Sequence, residues 1–123
     1  MNLVDSCGWL EYFAGGPNAG FFAPAIEDVE HLVVPSICVL EVFKRVLQQR
    51  DENDAIRAAA MMRQGALVDL DATIAMDAAR LGVQHGLPLA DSVILATAQA
   101  RSATIWTQDA DFEGLPGVNY IRK

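Results

Sequence analysis

Four carboxylates, Asp5, Glu41, Asp91 and Asp109, stand where a fold of alternating strands and helices could bring them to one edge. Gathered carboxylates repel one another severely unless divalent cations lie among them. All-oxygen ligands favour Mg2+, with Mn2+ as a substitute, over Zn2+, which more often recruits His or Cys. A site of that kind can activate a water for in-line attack on a phosphodiester and stabilise charge on the leaving 3′ oxygen without a nucleophilic side chain. Ser6 and Thr107 lie beside the first and fourth acids and could hydrogen-bond carboxylates and hold their rotamers; each could equally be a cap or a strand residue.

Taken singly, three of the acids have plain structural explanations. Asp5 could close a turn, Asp109 could cap one, and Asp91 could complement a helix dipole worth about 0.3–1 kcal/mol. Glu41 is different, because it stands in Cys-Val-Leu-Glu-Val-Phe and a carboxylate among such neighbours costs free energy unless something pairs with it. Lys44 or Arg45 could reach back to it at helical spacing. His31 and His85 suit structural places at a strand start and a helix end, and Asp71 and Asp77 suit a solvated helix face.

The elements that must position these acids follow from the hydrophobic pattern. Asn2-Leu3-Val4 reads as a strand ending at Asp5, with Ser6 capping a helix through Phe13. Gly15, Gly16, Pro17 and Gly20 interrupt the chain before a short helix from about Phe21 to Asp28, in a segment rich in exposed-looking aromatics. His31 to Val34 is a second strand; Ser36 caps a helix carrying Ile37, Leu40, Phe43 and Leu47, with Glu41 inside it. Asp51 or Asn53 caps a helix from Asp54 to Gln64. Ala66 to Leu70 is a third strand, Asp71 to His85 a helix closed by Gly86, and Leu89 to Arg101 a helix with Asp91 in its first turn. Thr104 to Thr107 and Val118 to Ile121 complete the strands, the last at a sheet edge. Alternation of this kind implies an α/β fold, a mostly parallel sheet covered on both faces. In open parallel sheets, sites form beyond the carboxyl ends of the strands, which points to Asp5 and Asp109.

A chain of 123 residues is about the size of one domain, so residues 1–123 should share one core. An apolar fraction of 52% against 20% charged leaves room for an apolar surface and hence a protein partner. No apolar run approaches the roughly 18 residues of a membrane span, and no basic start or long apolar stretch marks a signal peptide, so a cytoplasmic place is expected. Cys7 and Cys38 lack disulfide or zinc spacing and read as buried packing residues. A net charge of −7 argues against nucleic acid at first sight, but acids concentrated at a metal site would have their local field reversed by bound cations. Lys44, Arg45 and Arg50 could line an approach.

The strings Val4-Asp5-Ser6, Pro35-Ser36 with Leu40-Glu41-Val42, Leu89-Ala90-Asp91-Ser92 with Ile94-Leu95-Ala96-Thr97-Ala98, and Thr107-Gln108-Asp109-Ala110-Asp111-Phe112 resemble, in order and spacing, those of the PIN-domain family and its VapC-like toxins of bacterial toxin–antitoxin systems. The resemblance runs over essentially the whole chain. It implies a three-layer α/β/α fold, Mg2+-dependent endoribonuclease activity, homodimerisation, and inhibition by a small antitoxin protein. It makes Asp5 and Asp91 metal ligands, completed by Glu41 and Asp109, with Asp111 as an accessory. It also offers the Trp9, Tyr12, Phe13, Phe21 and Phe22 region as a groove for an antitoxin helix, against ordinary packing of the first two helices.

Rival classes fit less well. A catalytically weak PIN-like binding module would not need all four acids. A phosphatase of the haloacid dehalogenase type needs an Asp where this chain has Cys7, and a receiver domain needs a lysine near a late strand, whereas the only lysines are Lys44 and Lys123. Gly15-Gly16-Pro17-Asn18 lacks the ending of a nucleotide phosphate loop, and Ser6 lies in no serine-hydrolase elbow.

Overall fold

Five short strands, β1 (Asn2–Val4), β2 (Leu32–Pro35), β3 (Ala66–Val68), β4 (Thr104–Thr107) and β5 (Val118–Tyr120), form one parallel sheet in the computed structural model, which describes residues 1–123. Their spatial order is β3-β2-β1-β4-β5. Leu3 pairs with Val33 on one side and Ile105 on the other, so β1 is the central strand. Leu3, Val4, Leu32, Val33, Val34 and Ile105 are buried, the near-continuous apolar run expected of strands covered on both faces. Six helices, α1 (Ser6–Ala14), α2 (Ala19–Glu27), α3 (Ser36–Gln49), α4 (Glu52–Met62), α5 (Ala72–His85) and α6 (Leu89–Ala100), complete the three-layer α/β/α arrangement. None is long and apolar enough to cross a membrane.

The chain builds outward from β1 through β2 to β3, then returns across the sheet to β4 and β5. The order therefore reverses between β1 and β4, and a crevice opens at their carboxyl ends, the place where parallel α/β sheets hold ligands. Asp5 directly follows β1, and Thr107 to Asp111 carry on from β4.

Several helix ends differ from the sequence reading for identifiable reasons. Asp5, not Ser6, caps α1, because its carboxylate accepts the Ser6 N–H at 2.7 Å. Pro35 precedes α3, and the Ser36 hydroxyl instead accepts the Leu70 N–H. Asp71 is the cap of α5, accepting the Ile74 N–H at 2.9 Å, so it is a structural residue and not merely a solvated one. Asp51 caps α4 as expected, and Gly86 closes α5 with a φ of 66°, a conformation that disfavours a side chain. His31 ends a 3-10 turn and pairs with Asp28 before β2 begins at Leu32. The helix α2 begins at Ala19, earlier than expected, because the turn before it is fastened. Asn18 gives its backbone N–H to Glu11 and its side-chain amide to Gln108, each at 2.9 Å. Trp9 and Phe22 are wholly buried, not exposed, with Phe22 lying so close over Gly8 that a Cβ there would stand 2.6 Å from its ring.

Candidate metal centre

Asp5 sits at the bottom of the crevice, only 3% exposed. Its Oδ2 accepts the Thr107 hydroxyl at 2.8 Å and the Cys7 thiol at 3.3 Å, while Oδ1 takes the Ser6 N–H. Burial raises its pKa above the usual carboxylate value; the donors from Thr107, Cys7 and Ser6 pull the other way, and the charge of Asp109 adds to the rise. The Cys7 thiol is pushed up to about 12, first by burial and then by the Asp5 charge, so it stays protonated as a donor. Three donors on one carboxylate fix its plane before any ligand arrives.

Above Asp5, Asp91, Asp109 and Asp111 each place a carboxylate oxygen within 4.8 Å of the others. Asp91 comes from the first turn of α6, where the helix dipole favours an anion. Even so, its pKa is raised to about 8. Desolvation contributes most, followed by the charges of Asp5 and Asp109 and by a hydrogen bond with, and the charge of, Asp111. Asp109 is held by the loop that follows β4: its N–H donates to Thr107 Oγ1 at 2.9 Å, and its Oδ1 accepts the Asp111 N–H at 2.9 Å. Thr107 thus links Asp5 to the backbone of Asp109 through one hydroxyl.

Glu41 lies at the side of this group, outside the three-carboxylate cluster. No cation reaches it; its Oε1 accepts the Ser6 hydroxyl at 2.7 Å, so the residue after Asp5 ties α3 to the crevice. The four acids singled out by sequence therefore face the same crevice end of the sheet, and Asp111, an accessory candidate from sequence, belongs to the tightest trio. Cys7 was read as packing, yet it is half-buried with its sulfur on Asp5 and 3.5 Å from Thr107 Oγ1. Nothing in its sequence surroundings signals this, because the contact spans 100 residues. The donor set fits a hard divalent cation: it is all carboxylate oxygen, with one carboxyl held protonated near neutral pH for want of a counter-charge.

Two surface features flank the site. Lys44 and Arg45 are exposed on α3, one turn beyond Glu41. On α5 and α6, Val83 and Leu89 are 88% and 86% exposed and border an apolar hollow with Leu70, Leu87 and Val93.

Known proteins share this architecture. A toxin–antitoxin complex from Klebsiella pneumoniae contains a chain that superposes with a TM-score of 0.81 and 25% identity, over 97% of this chain and 96% of that one. VapC20 of Mycobacterium tuberculosis, described as a sarcin-ricin loop cleaving toxin, matches with a TM-score of 0.78 at 16% identity over 94% and 95%. VapBC2 of Rickettsia felis, bound to a DNA fragment from its promoter, matches with a TM-score of 0.73 at 16% identity over 98% and 97%. No curated protein matches the sequence. The model of the PIN domain matches residues 3–118, nearly the whole chain, and with the acid-lined crevice at the β1–β4 reversal it places this protein in the PIN domain family.

Proposed function

We propose that this chain is a Mg2+-dependent endoribonuclease, the toxin of a type II toxin–antitoxin system, with Mn2+ able to replace Mg2+. The observation that carries the reading is the trio Asp91, Asp109 and Asp111 above a buried, triply hydrogen-bonded Asp5, an arrangement that raises the Asp91 carboxyl to about 8 when no cation is present. Asp5, Asp91 and Asp109 are the proposed metal ligands, with Glu41 at the rim and Asp111 as an accessory. Bound there, Mg2+ supplies Lewis-acid charge for attack of water on phosphorus and for the departing 3′ oxygen.

The chain's own residues set the geometry for that chemistry. Thr107 and Cys7 fix the Asp5 plane, and Ser6 holds Glu41 where α3 meets the crevice. Lys44 and Arg45, a turn from Glu41, can meet the phosphates of an RNA strand laid across the rim. The partners proposed are that RNA, a cognate antitoxin, as the Klebsiella pneumoniae complex suggests, and a second copy of the chain. The Val83–Leu89 face is the one for the second copy, since side chains so exposed at the mouth of an apolar hollow favour burial.

The test is cleavage of total cellular RNA by the purified protein with Mg2+, with Mn2+ and with chelator, beside Asp91→Asn. Metal-dependent products absent from the variant are expected. No cleavage by folded, inhibitor-free protein under any of these conditions would overturn the nuclease reading in favour of a binding module.

A further inference from the structure

Away from the acids, α1, α3 and α4 enclose a groove of about 460 Å3. Its walls are largely apolar, with Leu10 and Phe13 from α1, Val46 from α3 and Met61 from α4. It is a different place from the Trp9–Phe22 region that sequence suggested, whose largest rings are spent in the core. Its charge is also unlike that of the rest of the molecule. Arg50 and Arg57 stand at its edge and both reach for a single carboxylate, Asp54, at 3.7 Å and 3.8 Å. Two guanidiniums share one acid, so the lining carries a surplus positive charge in a chain whose net charge is −7.

We infer that this groove takes an apolar peptide segment bearing a carboxylate, and that the Arg50–Arg57 pair is how the protein selects the acidic antitoxin segment that docks there; the identity of the occupant rests on the toxin reading above. The apolar walls provide the area, and the choice comes from charge. Asp54 satisfies only part of the hydrogen-bonding capacity of two forked guanidiniums, leaving donors directed at whatever fills the groove. A partner carboxylate completes the arrangement, a neutral residue leaves it as it is, and a lysine adds a third cation beside one acid. Both arginines are highly exposed, at 70% and 82% of their side chains, so they contribute little to the fold and are free to turn toward a ligand.

The test uses three synthetic amphipathic peptides of about 15 residues, identical except for one central Glu, Gln or Lys, titrated into the full chain by fluorescence anisotropy at low salt. The Glu peptide should bind about tenfold more tightly than the Lys peptide, with Gln between, and the spread should shrink at high salt. In the chain carrying Arg50→Glu and Arg57→Glu the order should reverse, and Met61→Glu should weaken all three. Absence of binding by every peptide, or an unchanged order in the charge-reversed chain, overturns the inference. RNA cleavage measured on the same preparations separates the two claims. Cleavage without peptide preference removes the docking inference alone, whereas a reversed peptide order without cleavage leaves docking intact and removes the nuclease.

Discussion

Replacing Asp91 by Asn should make the metal-free protein more stable while abolishing its cleavage. Asp91 has its pKa moved from 3.8 to about 8, chiefly by desolvation and then by Asp5 and Asp109. In a site closed to water that displacement would correspond to about 6 kcal/mol. Asp91 is only half-buried, and solvent screens it, so the expected gain at about pH 8 is about 1–2 kcal/mol, or roughly 4–8 °C in melting temperature for a chain of this size. The sign follows from proton binding. Below the unfolded value both states carry the proton and Asp91 contributes nothing. Between 3.8 and about 8 the folded state holds the proton that the unfolded chain has released, so wild-type stability falls as pH rises through that window. Asn carries no such proton, and its amide can still donate to Asp111. Thermal melts in chelator at about pH 5 and about pH 8 should therefore show the variant ahead by a margin that shrinks on acidification. Mg2+ should raise the wild-type melting temperature by binding the folded state, and raise that of the variant far less. A variant that melts at or below wild type in chelator at about pH 8 would refute the account of a strained carboxylate cluster.

Thr107→Val keeps the shape of a buried side chain but removes both the donor to Asp5 and the acceptor for the Asp109 N–H. Mn2+ affinity and RNA cleavage should fall about 10- to 100-fold with the fold retained, and an unchanged metal titration would remove Thr107 from the positioning role. Gly82→Ala would place a methyl group 2.6 Å from Ser92 Oγ, pushing the first turn of α6 that carries Asp91. The better helix propensity of Ala, up to about 1 kcal/mol, should be outweighed by about 1–3 kcal/mol of overpacking in a urea melt. Gly82→Ala with Ser92→Ala should recover most of the loss, and equal instability of the single and double variants would show that this contact is not its cause.

The parts of this molecule that could be read from sequence are those whose signals are local. Asn2-Leu3-Val4 before Asp5 and Thr104 to Thr107 before Asp109 carry the apolar runs of doubly covered strands, and their carboxyl ends are where such sheets place ligands. Asp51, Asp71 and Gly86 mark helix ends through chemistry confined to one turn. What was illegible depends on contacts across the chain. Cys7 looks like any small apolar residue until α1 swings it against Thr107, and Gln108 looks like a loop residue until Asn18 reaches it from 90 positions away. The aromatic hairpin misled for the same reason. Glycines and a proline around Phe21 and Phe22 suggest an exposed loop, but the bare backbone of Gly8 lets Phe22 sink into the core. The α1–α3–α4 groove belongs to three helices at once, so no single segment announces it.

The overall acidity, the one compositional feature at odds with an RNA-cutting enzyme, has its explanation in the same crevice. Of the 16 acidic residues, five (Asp5, Glu41, Asp91, Asp109 and Asp111) lie at the site, and 9 basic residues against the remaining 11 acids leave a balance of −2. Most of the net charge of −7 is therefore the site itself, and it is the part that divalent cations neutralise on binding. An RNA strand approaching the cation-loaded protein meets a nearly balanced surface with Lys44 and Arg45 beside the rim. The same strand approaching the chelated protein meets five carboxylates and one proton. Binding of RNA, and not only its cleavage, should accordingly require the divalent cation, so gel-shift affinity for an uncleavable RNA should rise with Mg2+ in wild type and respond much less in Asp91→Asn. A monovalent salt series at fixed Mg2+ distinguishes this from general screening: rising monovalent salt should weaken binding through the Lys44 and Arg45 contacts while the Mg2+ requirement persists. RNA held equally well in chelator would mean that the acids stand apart from the path of the strand.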